Sequence, residues 1–306
     1  MLGDGGYLLP MRLATFNILH GRSIQDGVVD LDRLVAAVRT LDADILALQE
    51  VDRDQPRSHL AEYGYEALGL GLFMISACGF GVLLFHPSSP LVRVIPSDVT
   101  RRGLMGLAMG LTAIANIYSP WGRRSGAHLN PAVTLTFLRL GKLKPVDAAW
   151  YIAAQFTGGL LGTAIAALLL RRWIGHPSVN YVATVPGMAG LLPAFLAESG
   201  ISFLLMLIIL AISNTPRLAR FTGFVAGCLV ALYITVESPI SGMSMNPART
   251  TGSAAFAHLW TGSWIYFLAP VLGMLLAAEC YVRLGQRAAC GKMYHDSRVH
   301  CIFCQE

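Results

Sequence analysis

The fold is decided by two stretches of sequence, Ser125-Gly-Ala-His-Leu-Asn-Pro-Ala-Val-Thr134 and Ser241-Gly-Met-Ser-Met-Asn-Pro-Ala-Arg-Thr250. Ser, Gly, Asn, Pro, Ala and Thr recur at matching positions in the two copies. The repeat extends upstream, because Glu66 and Glu198 each begin an apolar run. The chain therefore contains two related halves.

The composition indicates lipid as the main solvent. Of the 306 residues, 54% are hydrophobic and 13% are charged, whereas about a quarter of a soluble domain is charged. A bilayer span needs about 20 mostly apolar residues. Such runs predict spans at about 63–85, 102–119, 147–170, 190–213, 219–237 and 262–284. Two apolar segments, near 130–139 and 246–257, begin at an Asn-Pro and are too short to cross.

The expected fold class is an all-α membrane protein with six transmembrane helices and two re-entrant half-helices in two inverted repeats, preceded by a short β-α-β fragment. Inverted repeats with interrupted helices mark transport proteins. Six spans place both termini on one side of the bilayer. Lys and Arg are more frequent on that side, which predicts a multi-pass protein of the cell (inner or plasma) membrane with both termini cytoplasmic. The net charge of +5 is attributed to these loops and not to nucleic-acid binding.

Each Asn-Pro-Ala copy is able to start a half-helix. The Asn oxygen accepts from a free N–H of the first turn, while its NH2 group stays free to donate into a pore. Pro fits the first helical position. Two helix N-termini that meet place partial positive charge at the midplane, which opposes cations and protons but not water. The non-helical backbone before each Asn is tolerated only if its carbonyls line a wet cavity. The motif residues are Asn130, Pro131, Ala132, Asn246, Pro247 and Ala248.

Charged side chains inside a membrane are costly and usually functional. Arg249 follows the second motif and is predicted to exclude cations at the outer mouth and to hydrogen-bond the solute; the alternative is a snorkelling side chain. Glu66 and Glu198 are predicted to accept backbone N–H groups of the neighbouring re-entrant loop. Together with His128 they are the expected pore-support residues. For Glu66, a simple cap at the start of the first span is the alternative.

On these residues, positions 62–285 resemble the aquaporin (major intrinsic protein) family over its whole length. The resemblance implies a homotetramer in the lipid bilayer, one pore per subunit, and a selectivity filter at Met109, Ile234, Met243 and Arg249. Water-selective members typically carry Phe and His at the first two of these positions. Their absence here, beside a second motif of water-channel type, leaves open whether ammonia, hydrogen peroxide or a metalloid hydroxide also passes.

The N-terminal segment predicts a strand at 11–18, a helix capped by Asp30 and a strand at 45–51. Met11-Arg-Leu-Ala-Thr-Phe-Asn17 and Leu46-Ala-Leu-Gln-Glu50-Val resemble the opening of the endonuclease/exonuclease/phosphatase family. That resemblance implies Glu50 as a Mg²⁺ ligand. The family's later motifs are absent, so we expect an inactive fragment; the alternative is a metal-dependent phosphohydrolase tethered to the membrane.

Four potential metal ligands lie close together near the end of the chain: Cys290, His295, Cys301 and Cys304, with His300 between them. Cysteines and a histidine in this number are compatible with tetrahedral zinc. The alternative is a set of reduced thiols on an unstructured cytoplasmic tail.

These observations divide the chain into a truncated fragment with its linker at 1–59, a channel domain at 60–287 and a Cys/His-containing tail at 288–306. We expect a passive channel for water or another small neutral solute. It is expected to exclude ions, to have no cofactor and not to be an enzyme. A structural membrane protein with a closed pore is the further alternative.

Overall fold

The computed structural model describes residues 13–17, 36, 39, 45–49, 59–296, 298–299 and 301–304. The chain divides into two compact units, Met1–Ser58 and His59–Glu306. In the first unit, strands β1 (Leu13–Asn17) and β2 (Ile45–Gln49) pair in parallel, with Leu13 opposite Ile45. They correspond to the two predicted strands. Of the helix expected after Asp30, only Ala36 and Arg39 are described, and both are helical. Glu50 lies outside the described residues.

The second unit contains six long helices, at the positions of the six predicted spans. They are α1 (Leu60–Phe85), α2 (Asp98–Tyr118), α4 (Pro145–Leu170), α5 (Leu191–Ser213), α6 (Thr222–Val236) and α8 (Ser263–Arg283). Five segments of the described chain are long and apolar enough to cross a membrane. The exception is α2, because Arg101, Arg102 and Asn116 make it more polar.

Two short helices begin at the prolines of the repeated motif, as predicted. They are α3 (Pro131–Arg139) and α7 (Pro247–Ala257). The remaining short elements are the helices Pro90–Val94, Pro120–Ser125 and Ser238–Ser241 and the 3-10 turns Arg171–Trp173, Asn180–Val182 and Ala219–Phe221. The order span, span, half-helix, span therefore occurs twice along the chain.

The helices pack closely where small residues bring two backbones together. A Cβ added to Gly159 of α4 would lie 2.7 Å from the carbonyl oxygen of Ala248, and one added to Gly252 of α7 would lie 2.6 Å from the carbonyl oxygen of Gly159. Glycine at both positions therefore lets α7 lie directly against α4. Close approach through small residues is the usual packing mode of helices in a membrane, where burial of apolar surface gives little driving force.

The outer surface of this unit is strongly apolar. Leu168 and Leu169 of α4 are 75% and 71% exposed, and Leu192 of α5 is 68% exposed. Leucines in such positions suit a bilayer and not water. Several polar side chains within the spans are instead buried, with Glu66, Gln155 and Glu198 each at 0% exposure.

Candidate functional site

The two half-helices begin with the same hydrogen-bonded cap. The side-chain oxygen of Asn130 accepts from the N–H of Ala132 at 2.9 Å. That of Asn246 accepts from the N–H groups of Ala248 at 3.0 Å and Arg249 at 3.2 Å. Each cap satisfies N–H groups that an isolated helix start would leave without partners.

The amide nitrogens of the two asparagines join the two halves of the protein. Asn130 donates from Nδ2 to the carbonyl of Met245, and Asn246 donates to the carbonyl of Leu129, each at 2.7 Å. From the motif alone, this NH2 group is expected to be entirely free to donate into the pore. Since an amide has two N–H donors, one of them crosslinks the loops and one remains for a molecule in the cavity.

The loops before the two asparagines have the same unusual backbone. Ala127 and Leu129 in the first loop have φ values of 54° and 50°, and Met243 and Met245 in the second have 52° and 54°. Left-handed conformations are uncommon for such residues and cost free energy. Their occurrence at alternate, equivalent positions indicates that surrounding contacts fix each loop in an extended, non-helical course.

Those contacts come largely from Glu66 in the first half. Its Oε1 accepts from the Ser125 hydroxyl at 2.7 Å and the His128 N–H at 3.0 Å. Its Oε2 accepts from the Leu129 N–H at 2.6 Å and from Nε2 of Gln155 at 2.8 Å. The carboxylate thus binds backbone N–H groups of the re-entrant loop, the contact that the sequence analysis expects.

Glu198 makes the equivalent contacts in the second half. Its Oε1 accepts from the Ser241 hydroxyl at 2.8 Å and the Ser244 N–H at 2.6 Å, and its Oε2 accepts from the Met245 N–H at 2.8 Å. Because the carboxylates accept from loop N–H groups that no helix pairs, both loops keep their non-helical course beside the interior.

That interior is a cavity of about 400 Å³ that passes both loops. It is lined by Arg102 and Ile117, which lie near opposite ends of α2. Fifteen residues of helix separate them, or roughly 22 Å, so the cavity extends along most of the helix. We call the end at Ile117 the tail-side mouth, because Met293 of the tail lines the cavity and belongs to the same buried apolar cluster as Ile117.

Comparisons with known proteins agree with this architecture. The family model described as "Major intrinsic protein" matches residues 55–281, about three quarters of the chain. The chain belongs to the major intrinsic protein family. This is a channel family of multi-pass membrane proteins that transport small neutral solutes.

Individual relatives support the assignment. "Probable aquaporin NIP-type" of Nicotiana alata is 35% identical over 218 residues, which cover 71% of this chain and 74% of that protein. "Aquaporin NIP2-2" of Zea mays is 34% identical over 215 residues, covering 69% and 71%. The X-ray structure of the aquaglyceroporin from Plasmodium falciparum matches with a TM-score of 0.62 and 21% identity over 73% of this chain and 96% of that chain. At that identity the match shows the fold alone.

The four residues expected to form the filter all line this cavity: Met109, Ile234, Met243 and Arg249. The guanidinium of Arg249 donates to the Thr184 hydroxyl at 2.9 Å. Thr184 is itself 3.2 Å from the Thr250 hydroxyl. Arg249 is therefore held by a polar contact inside the protein, and the snorkelling alternative does not describe it.

Several residues of this major intrinsic protein that hydrogen-bond the re-entrant loops or their supporting carboxylate were not predicted from the sequence. Tyr151 donates to the carbonyl of Ser125 at 2.7 Å, and Tyr266 donates to that of Ser241 at 2.5 Å. Gln155 bridges Glu66 and the Thr134 hydroxyl. A signal for Gln155 was available, since it is the one amide side chain within α4 and polar groups in spans are usually functional.

His128 lies at the tail-side mouth and contacts the tail. Its Nδ1 is 3.1 Å from the Thr134 hydroxyl, and its Nε2 is 2.7 Å from the carbonyl oxygen of Gly291. The Phe303 ring stacks on the imidazole with a centroid distance of 5.6 Å. His128 thus connects the first re-entrant loop to the tail, a contact that the loop motif alone does not predict.

The alternative of an unstructured tail is wrong for the residues that the structure describes. Met293 and Lys292 are 7% and 2% exposed, and Cys301 is 0% exposed. Burial against the channel unit supplies the ordering that the irregular sequence lacks. Ion pairing with Arg298, and then with Arg123, holds the pKa of Asp296 well below its usual value, so this carboxylate is charged at neutral pH.

The tail also brings together the four possible ligands Cys290, His295, Cys301 and Cys304. Their ligand atoms lie within 4.8 Å of one another. His300 lies outside the described residues.

Proposed function

We propose that the chain is a passive channel for water and other small neutral solutes, without an enzymatic step or a cofactor. The observation that carries this proposal is the pair of asparagine amides, Asn130 and Asn246, that meet across the cavity. Each keeps one N–H donor for a passing molecule. The two half-helix N-termini add partial positive charge at the same place and oppose cations.

The proposed selectivity filter is formed by Met109, Ile234, Met243 and Arg249. Three of these side chains offer no hydrogen-bond donor, so Arg249, held at Thr184, provides the polar contact. An aliphatic and thioether lining favours a solute slightly larger than water and still neutral. We propose ammonia, hydrogen peroxide or a metalloid hydroxide in addition to water. The names of the Nicotiana and Zea relatives, which are aquaporins, support the water pathway.

The assembly and setting belong to the same proposal. The exposed leucine surfaces suit both lipid and the subunit contacts of a homotetramer in the cell membrane, with both termini in the cytoplasm. We divide the chain at the positions expected from sequence, into an inactive fragment at 1–59, the channel at 60–287 and the tail at 288–306.

Osmotic transport tests the proposal. The full chain is reconstituted into proteoliposomes and followed by stopped-flow light scattering under an impermeant solute and then under glycerol. Shrinkage much faster than that of empty liposomes is expected. Rapid re-swelling in glycerol would assign a wide filter. Shrinkage no faster than that of empty liposomes would mean a closed pore and would refute the proposed function.

A filter variant tests the solute range. In Met109→Phe/Ile234→His, an aromatic ring and an imidazole narrow the cavity and add a donor. We expect water permeability to persist and hydrogen peroxide permeability to fall about tenfold, equivalent to about 1.4 kcal/mol of barrier. The matched control is Met188→Phe, since Met188 is fully exposed and does not line the cavity. Equal solute permeability in the filter variant and the parent would contradict the assignment of the filter.

A further inference from the structure

The four-residue cluster of the tail has the dimensions of a metal site. The Sγ atoms of Cys290 and Cys301 are 3.4 Å apart, and those of Cys290 and Cys304 are 3.8 Å apart. Nε2 of His295 is 3.4 Å from Sγ of Cys304. In a tetrahedral zinc site, bond lengths of about 2.3 Å to sulfur and 2.0–2.1 Å to nitrogen place sulfur atoms about 3.8 Å apart and a sulfur–nitrogen pair about 3.5 Å apart.

A disulfide bond or an iron–sulfur cluster fits these four residues less well. All three cysteines are free, and sulfur atoms 3.4 Å apart are too far for a disulfide bond of about 2.05 Å. An iron–sulfur cluster spreads its ligands over two or more irons, so some ligand atoms would lie farther apart than the 4.8 Å that encloses all four here. Three thiolates and an imidazole around one point match the donor set of a structural zinc site.

We propose that Cys290, His295, Cys301 and Cys304 bind one zinc ion tetrahedrally, and that this ion fixes the tail on the tail-side mouth. The ligands come from both ends of the segment 290–304, so one ion closes it into a loop. Such an irregular segment contains no long helix or strand of its own in its described part. Metal binding supplies folding free energy in segments of this kind.

The residues between the ligands are those that contact the channel. The N–H of Met293 donates to the carbonyl of Gly126 at 3.1 Å, and Nζ of Lys292 donates to the carbonyl of Arg123 at 2.8 Å. Phe303, within the Cys301–Cys304 pair, stacks on His128.

Gly126 allows this docking, because its φ is +94° and an added Cβ would lie 3.1 Å from both Lys292 and Phe303. The metal loop is thus built around the surface that meets the first re-entrant loop.

Metal content of the purified full chain tests the site. We expect about one zinc per chain by mass spectrometry of the protein in chelator-treated buffer. Zinc is expected to be lost in Cys301→Ser and Cys304→Ser and kept in the control Cys228→Ser, whose exposed thiol lies on α6. After zinc removal, added Co²⁺ should give the visible absorption of tetrahedral cobalt thiolate in the parent alone. A parent that retains no zinc and gives no such spectrum overturns the proposal, as does full zinc content in Cys301→Ser.

Limited proteolysis tests the clamp independently of transport. With zinc bound, trypsin should spare the buried Lys292 and cut at the exposed Arg287. A chelator should open Lys292 to cleavage and leave cutting at Arg287 unchanged. Equal cleavage at Lys292 with and without chelator would overturn the clamp. Neither measurement depends on permeation, so the site can fail or stand separately from the channel function.

Discussion

Replacement of Glu66 by Gln tests whether a buried carboxylate holds the first re-entrant loop. The side chain is 0% exposed, and four donors converge on it. An ionised carboxylate is an acceptor only and satisfies all four, whereas an amide presents two N–H groups of its own. Glu66→Gln keeps the shape of the side chain and changes its hydrogen bonding.

The destabilisation caused by Glu66→Gln comes from the hydrogen bonds that the new amide cannot accept. If the new NH2 takes the place of Oε2, it meets Nε2 of Gln155 and the N–H of Leu129. Gln155 is able to turn its amide, since its Oε1 has no partner within the described chain. The Leu129 N–H then remains buried without an acceptor. Loss of one hydrogen bond to a charged group costs roughly 1.5–3 kcal/mol.

Thermal unfolding of the purified chain measures this cost. For a unit of this size, 1 kcal/mol corresponds to about 2–4 °C, so we expect a Tm lower by roughly 3–12 °C. Water permeability should fall as well, because the freed loop lines the cavity and no longer keeps its course there. The control is Glu279→Gln, whose partly exposed pair with Arg139 is worth no more than about 1 kcal/mol. A Tm within about 1 °C of the parent, with unchanged permeability, would refute the reasoning.

Three further predictions concern Glu198, the tail and the packing of α4 against α7. Glu198→Gln should lower the Tm by at least as much as Glu66→Gln, as measured by differential scanning calorimetry. The donors to Glu198 are a serine hydroxyl and two backbone N–H groups, so no side-chain amide can turn to compensate. If the channel proposal holds, Cys301→Ser should raise osmotic permeability, since a released tail withdraws Met293 from the cavity; an unchanged rate in stopped flow would count against this. Gly159→Ala should destabilise the protein by about 1–3 kcal/mol through overpacking, whereas Gly64→Ala, with open space around it, should not; chemical unfolding compares the two.

The centre of the pore could be predicted from sequence because its determinants are local. Capping by Asn130 and Asn246 depends on the next three residues of the chain, and the proline that follows fixes the helix start. The long-range contacts of Glu66 and Glu198 could be expected as well, since a buried carboxylate needs donors and the adjoining loops have N–H groups to spare. The donation of each asparagine amide to the opposite loop required the structure, because it depends on the exact distance between the halves.

The tail could not be predicted for the opposite reason. Cysteine and histidine spacing permits a metal site but does not specify the folding of an irregular segment, which here depends on docking to another part of the chain. The contact of Gly291 with His128 joins residues 163 positions apart. The position of helix α2 in the bundle also required the structure. The polar start of α2 weakens its hydropathy signal, and the helix is placed by packing of Gly110 against the backbone of Gly227 on α6.

The two halves have matching loops but differ at residues that contact other parts of the protein. At the position of Arg249 the first half has Val133, so only the second motif supplies a cation, which donates to Thr184. At the position of His128 the second half has Ser244, whose hydroxyl bonds Thr250 just as His128 contacts Thr134. The histidine ring is large enough to reach beyond its own loop, and the tail packs on it. If the proposed filter holds, the residues that depart from the internal repeat separate solute selection, at Arg249, from attachment of the tail, at His128.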